Sequence, residues 1–278
     1  KYESAEDKKE RYAGILIRLI EVTKLVAAKY TRSKVRKALP KDYQYIIDEL
    51  INMPHHSIDK KDYYNHIISS IIELGNAENF ICEMCRLIQR LAIDHLHIVG
   101  DIFDRGNGAD RILDSLSAYH SFDIEWGNHD VLWMGAHFGN EACVCNIIRI
   151  NCAYRNLSVI ERGYGINLRP LVTFALEEYA TDDCSSFAIS DVFGGESDFE
   201  KNSLLAKMTK AITVIQLKIE NALIRRHREF FMDDRILYPS SELTAKERAL
   251  IDLLVGEFKN NARLDDHVNL LLKKGSMY

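Results

Sequence analysis

Proline is scarce in this chain, with 4 among 278 residues where about 5% is usual. A chain so poor in the residue that breaks helices is expected to be rich in them. Long apolar runs are missing too. No stretch of about 18 apolar residues occurs, so no membrane span is expected. The first residues lack the basic and apolar regions of a secretory signal. Charge of neither sign dominates, since 36 Lys+Arg against 41 Asp+Glu leave a formal −5. That balance argues against a nucleic-acid binder held by many phosphate contacts. The six cysteines have no disulfide-framework spacing, and reduced thiols in a cytoplasmic setting fit best. Cys82 and Cys85 have C-x-x-C spacing, but a zinc site would need a second pair, so they read as packing residues within a helix. Cys143 and Cys145, two apart, belong on different helix faces. There is no internal repeat and no low-complexity tract.

What the sequence does have, at its start, is helical periodicity. The length suffices to bury a core as one large domain or two smaller ones. Residues 11–30 place Ile15, Leu19, Val22 and Val26 on one face. Residues 42–51, 62–74 and 76–91 continue the pattern, the last with Phe80, Met84, Leu87 and Leu91 on one stripe. Four helices are therefore predicted before residue 95. The basic run Lys29, Arg32, Lys34, Arg36 and Lys37 reads as a solvated helix face, with contact to a phosphorylated effector as the less common alternative. His55-His56, beside Pro54, reads as an exposed turn.

The chain is organised around HLHIVGDIFDRGNGADRILDSLSAYHSFDIEWGNHD, residues 95–130. A short apolar run ends in Gly100-Asp101, a helical pattern follows, and a second extended run ends in Gly127-Asn128-His129-Asp130. Such a strand–helix–strand unit is almost always right-handed, which puts both carboxyl ends on one edge of the sheet. That edge is where open α/β sheets place ligands. Asp101 offers a carboxylate able to bridge two divalent ions, and Asn128 a neutral amide oxygen suited to Mn or Mg. His129 is placed as a general acid for a leaving alkoxide, with Asp104 to hold its imidazole. Arg105 offers a planar fork for phosphate oxygens. Gly100, Gly106 and Gly127 permit tight turns. Together these parts suit metal-assisted hydrolysis of a phosphoester by an in-line water.

Beyond this unit, residues 131–154 read as one long apolar helix that carries His129 at its N-terminal end, where the dipole favours a bound phosphate. Residues 157–160 read as a third short strand, and 180–198 as a mobile loop or hinge. Helices are predicted at 199–226, at 244–261 after the capping box of Thr244 and Glu247, and at 264–274. Arg169, in YGINLRPL, reads equally as a sugar-phosphate contact and as a cap or salt-bridge residue. These long helices suit a homo-oligomer contact as well as they suit internal packing.

GDIFDRG and GNHD resemble the central motifs of the calcineurin-like metallophosphoesterases. KYTRSKVRKALPKDY, DHLHIVGDIFDRG, WGNHDVLWMGA, YGINLRPL, MDDR and KKGSMY, scattered over nearly the whole chain, resemble class III fructose-1,6-bisphosphatases. The resemblance implies a cytoplasmic, manganese-dependent bacterial enzyme of gluconeogenesis that acts on fructose 1,6-bisphosphate, with Mg2+ as an alternative metal. It implies Asp101 and Asn128 as metal ligands, His129 with Asp104 as the acid pair, Arg105 as a phosphate contact and Asp130 as a residue that orients the loop. The fold it implies is α/β: part of a metallophosphoesterase sheet with its βαβ core at 95–160 and large helical insertions on either side. The corresponding domains are a helical cap at 1–94, the core at 95–180 and a mainly helical segment at 181–278.

One departure limits the match. The superfamily also uses an Asp-x-His on an earlier strand and a later Gly-His-x-His. Neither occurs here, and the only histidines after Asp130 are His137, His227 and His267. The expectation is an internal fragment of a longer enzyme, holding part of a two-metal site and inactive alone. Two other readings compete: a protein or dinucleotide phosphatase, and a non-catalytic helical module for assembly or effector binding.

Overall fold

A computed structural model of the chain describes residues 4–53, 58–187, 199–237, 240 and 242–276. The fold is α/β and mostly helical, with one small three-stranded sheet among the described residues. The chain divides into two compact units, Lys1–Leu96 and His97–Tyr278.

The first unit is helical: α1 (Ala5–Ala27), α2 (Arg32–Ala38), α3 (Gln44–Asn52), α4 (Ile58–Glu73) and α5 (Ala77–Ala92). Ser4 and Asp7 close a capping box on α1, and Thr31 caps α2 through the Lys34 N–H. Gly75, at φ +74°, ends α4, with its N–H and that of Asn76 donating to Ile72 and Ile71 carbonyls at 3.0 and 3.1 Å. That left-handed stop is the usual use of glycine past a helix end. Leu16, Ile20, Ile47, Leu50, Phe80 and Met84 are fully or almost fully buried in this unit's core. Five helices therefore stand among the described residues where the sequence suggested four. The addition is α2, whose seven residues bury only Val35 and leave little periodic signal. Cys82 and Cys85 are exposed; they lie off the Phe80–Met84–Leu87–Leu91 stripe and do not pack, contrary to expectation. His55 and His56 lie outside the described residues.

β1 (Leu96–Ile98) begins at the last residue of the first unit, and the second unit goes on with α6 (Ala109–Ser117), β2 (Phe122–Glu125), α7 (Asn128–His137), α8 (Glu141–Ala153), α9 (Arg169–Glu178), α10 (Phe199–Arg226), α11 (Ala245–Lys259), α12 (Ala262–Lys274) and β3 (Gly275–Ser276). The strand order is β1-β2-β3. β3 runs parallel to β2, with Ile124 opposite Gly275 and Glu125 opposite Ser276. No described helix is long and apolar enough to cross a membrane.

Three expectations are corrected here. Residues 131–154 are not one helix. Gly139, at φ +86°, stops α7, and Asn140 accepts a hydrogen bond from the Cys143 N–H to start α8. The apolar pattern runs through this break because both helices bury residues, Trp133 and Met134 on α7, Ile147 and Ile148 on α8. The strand expected at 157–160 is instead a wide helical turn at Val159–Gly163. Val159 and Ile160 are buried there, so tertiary packing has overridden their strand preference. The true third strand is β3, which carried no strand signal. The long helix at Phe199–Arg226, the Thr244–Glu247 capping box and α12 follow the sequence reading. Of the loop expected at 180–198, residues 188–198 lie outside those described.

Candidate active site at the ends of two strands

The carboxyl ends of β1 and β2 meet. Gly100, at φ +82°, has no room for a side chain: a Cβ there would overlap the Gly127 amide and the Glu125 carbonyl. Asp101 follows in the left-handed region at φ 52°, a conformation that Asp tolerates better than most residues. A Cβ on Gly127 would in turn overlap the Asp101 carboxylate. Both glycines are there because two loops approach backbone to backbone.

Asp130 ties these loops together. It is fully buried, and its carboxylate accepts backbone hydrogen bonds from Asp101 at 2.8 Å, Gly127 at 3.0 Å and Phe103 at 3.3 Å. Burial pushes its pKa up, and the three backbone donors oppose that rise. Asp101 returns the link, its Oδ1 accepting from the His129 N–H at 3.1 Å. The result is a two-way lacing of GDIFDRG to GNHD.

The expected site residues lie on this lacing. Asn128 and His129 open α7, and Asn128 is exposed. His129 Nε2 is 3.0 Å from Asp104 Oδ1, near enough for an ion pair although not aligned as a hydrogen bond. Arg105 is largely exposed, with Nε 3.5 Å from Asp104 Oδ1 and its guanidinium carbon 4.7 Å from the centre of the Tyr154 ring. Asn156 donates from Nδ2 to the carbonyls of Arg105 and Gly106, at 3.1 and 2.9 Å. Neither Tyr154 nor Asn156 belongs to a motif, and no local pattern singled them out.

Under the loops lies an aromatic floor. Phe103 stacks on Trp133 at 4.5 Å, and Tyr164 and Phe258 pack on the same indole at 5.2 and 5.8 Å. The Tyr164 hydroxyl pairs with His267 Nδ1 at 2.9 Å, and His267 Nε2 with Asp114 Oδ1 at 2.9 Å. A neutral imidazole with its proton on Nε2 satisfies both contacts, accepting from the phenol and donating to the carboxylate. Burial raises the pKa of the Tyr164 phenol, which keeps it a donor.

The other candidates are spread elsewhere. His137 pairs with Asp265 at 3.0 Å, and His227 with Glu229 at 2.8 Å. Arg169 is the exposed first residue of α9. Of the basic run, Arg32 and Arg36 share Asp48, Lys34 pairs with Asp94, and Lys29 donates to the Ala92 carbonyl. Among the described residues no three His, Cys, Asp or Glu side chains gather as a metal site. The Asp101 carboxylate and the Asn128 amide nevertheless have the oxygen chemistry that a hard divalent cation takes. They fit such an ion as two members of a larger ligand set.

A strand–turn–helix edge with paired oxygen donors, a histidine beside a carboxylate and an exposed arginine brings together groups whose chemistry suits a divalent ion and an anion. The family model for Firmicute fructose-1,6-bisphosphatase matches residues 1–240, and the chain belongs to that family. It is 47% identical to the class 3 fructose-1,6-bisphosphatase of Alkaliphilus metalliredigens (strain QYMF), with 100% of this chain and 46% of that protein covered. It is 44% identical to the proteins of the same name from Clostridium novyi (strain NT) and Clostridium tetani (strain Massachusetts / E88), with 99% of the chain and 46% of each covered. The chain thus spans about half the length of the curated relatives it matches. No solved structure matches it.

Proposed function

We propose that this chain carries part of the active site of a fructose-1,6-bisphosphatase, which hydrolyses fructose 1,6-bisphosphate to fructose 6-phosphate and phosphate in gluconeogenesis. The observation that carries the reading is the lacing of the two loops, in which Asp130 accepts from Asp101 and Gly127 and Asp101 accepts from the His129 N–H; Asp104, Arg105 and Asn128 belong to the same two loops. Family membership and the names of the relatives support the substrate. Asp101 and Asn128 would hold divalent metal, Mn2+ by preference and Mg2+ as the alternative. When bound, such metal neutralises phosphoryl charge and supplies the attacking water.

The chain's own residues account for the rest. Arg105 binds phosphate oxygens through its planar fork. The N-terminal end of α7 is already engaged by the Asp101 and Asp130 carboxylates, so phosphate binding rests on Arg105 and the metal. His129 donates a proton to the departing sugar oxygen, and Asp104, 3.0 Å away, orients its ring and balances its charge. Asp130 touches no substrate in this reading and fixes the loops on which the others sit. The basic run Lys29, Arg32, Lys34, Arg36 and Lys37 is the candidate contact for a phosphorylated effector. A calcineurin-like sheet, of which β1, β2 and β3 are part, is the fold that accompanies this mechanism.

The test is manganese-dependent phosphate release from fructose 1,6-bisphosphate by the full-length enzyme and by this chain alone, beside a phosphopeptide and a dinucleotide polyphosphate. Turnover of the sugar bisphosphate by the full-length enzyme is expected. Preference for either other substrate would move the assignment to a protein or dinucleotide phosphatase. A second reading is a non-catalytic effector module. Metal binding without turnover of any phosphoester would support that one.

A further inference from the structure

We infer that Tyr154 and Asn156 form a clamp that preorganises Arg105 to receive a phosphate group, and that the clamp sets the affinity of the site for phosphorylated ligands. This rests on the reading of Arg105 as the phosphate contact. Its starting point is a cost: a free arginine side chain is highly mobile and loses that freedom when it binds. Whatever holds the guanidinium beforehand reduces the loss on binding.

Two holds converge on this arginine from the end of one helix. α8 ends at Ala153, with the Tyr154 N–H donating to the Ile150 carbonyl at 3.0 Å. Arg155 then turns left-handed at φ 54°, and the Asn156 N–H closes back on the Asn151 carbonyl at 2.8 Å. This is the geometry of a helix stop that glycine usually supplies, here adopted by arginine. The turn brings the flanking side chains to the same loop. Asn156, almost fully buried, fixes the backbone of the arginine through two consecutive carbonyls. Tyr154 carries the face of the guanidinium.

A guanidinium stacked on a ring keeps its N–H edge free, and that edge makes paired bonds to phosphate. Asp104 approaches Nε at 3.5 Å. The two terminal nitrogens have no partner among the described residues. The backbone is therefore fixed by Asn156 and the guanidinium rests against Tyr154, with Asp104 near Nε as an ion pair only, and the terminal nitrogens are open to an anion.

The test follows the Arg105 side-chain signals of the isotopically labelled chain by NMR during titration with inorganic phosphate, in the wild type, Tyr154→Phe and Tyr154→Leu. Tyr154 is half exposed, so both variants should fold. Ring-current shifts of the Arg105 side-chain protons are expected in the wild type and the Phe variant and should vanish in the Leu variant. Phosphate affinity should stay within about twofold for Phe and fall about 2- to 5-fold for Leu, the range of an exposed cation–π contact. In the full-length enzyme the Leu change should raise KM for the sugar bisphosphate and leave kcat nearly unchanged. Equal phosphate affinity in the wild type and the Leu variant overturns the clamp, as does an Arg105 signal that phosphate never moves. A working clamp in an enzyme that ignores fructose 1,6-bisphosphate would remove the substrate and keep the clamp. Normal turnover with a phosphate-indifferent Tyr154→Leu would do the reverse.

Discussion

A buried carboxylate that accepts three backbone N–H bonds cannot be exchanged for its own amide. In Asp130→Asn one oxygen becomes a donor that faces the Asp101 and Gly127 or Phe103 N–H groups. Leaving buried donors unsatisfied costs about 1–3 kcal/mol. Urea melts should show that loss, and activity of the full-length enzyme should fall with it; an Asn variant as stable as wild type would mean the lacing is not holding the loops. His129→Ala belongs to the same scale. If His129 is the general acid, kcat should drop about 10²–10⁴-fold with stability little changed, and a full kcat would remove that role. Asp114 gives a pH prediction. The Arg263 guanidinium, and then His267, hold its carboxyl below the usual range. A depressed folded pKa contributes stability above the ordinary carboxylate value and loses it as pH falls through the lower, folded one. The contribution is modest because Asp114 is half exposed and screened by solvent. The gap in Tm between wild type and Asp114→Asn should therefore be open at pH 7 and narrow below about pH 4. A gap independent of pH would contradict it.

The elements show what a sequence can and cannot announce. β1, α6 and β2 were legible because each strand ends in a glycine and a ligand-type residue, and because the crossover has its own apolar face. The Phe199–Arg226 helix and the Thr244 cap were legible for equally local reasons. Two misses had local signals that were outweighed: Gly139-Asn140 is a stop followed by a cap, hidden by the apolar residues on both sides. At Val159 and Ile160 strand-loving residues were buried in a helical turn. β3 had no local signal, since Gly-Ser becomes a strand only where β2 is waiting. The approach of Tyr154 and Asn156 to Arg105 was equally invisible, because it is made by the end of a helix some 50 residues away. Gly275 also explains itself only in space. A Cβ there would overlap the Trp126 indole and the Leu271 carbonyl, while Trp126 donates from Nε1 to that carbonyl at 3.1 Å. Gly275→Ala should cost about 1–3 kcal/mol by overpacking and shift Trp126 fluorescence. Unchanged emission and stability would show that β3 can move aside freely.

At the scale of the whole molecule there are two cores. Phe80 is fully buried in that of Lys1–Leu96, and Phe80→Ala should cost that unit about 3–5 kcal/mol. Both tryptophans, Trp126 and Trp133, lie in His97–Tyr278, so indole fluorescence follows that unit, whereas circular dichroism follows all the helices. The Phe80→Ala variant should lose ellipticity at a lower temperature than its tryptophan signal changes. Coincident curves would mean that the two cores melt as one block.

The hydrogen bond from Trp126 to Leu271 joins residues 145 positions apart, and the tryptophan directly precedes the Gly127 turn. Translation proceeds at about 5–20 residues per second, so β2 leaves the ribosome on the order of ten seconds before its partner strand is made. Through that interval the β2 edge that β3 later covers is unpaired, beside the Gly127 turn. The pairing of β2 with β3 is therefore timed by synthesis.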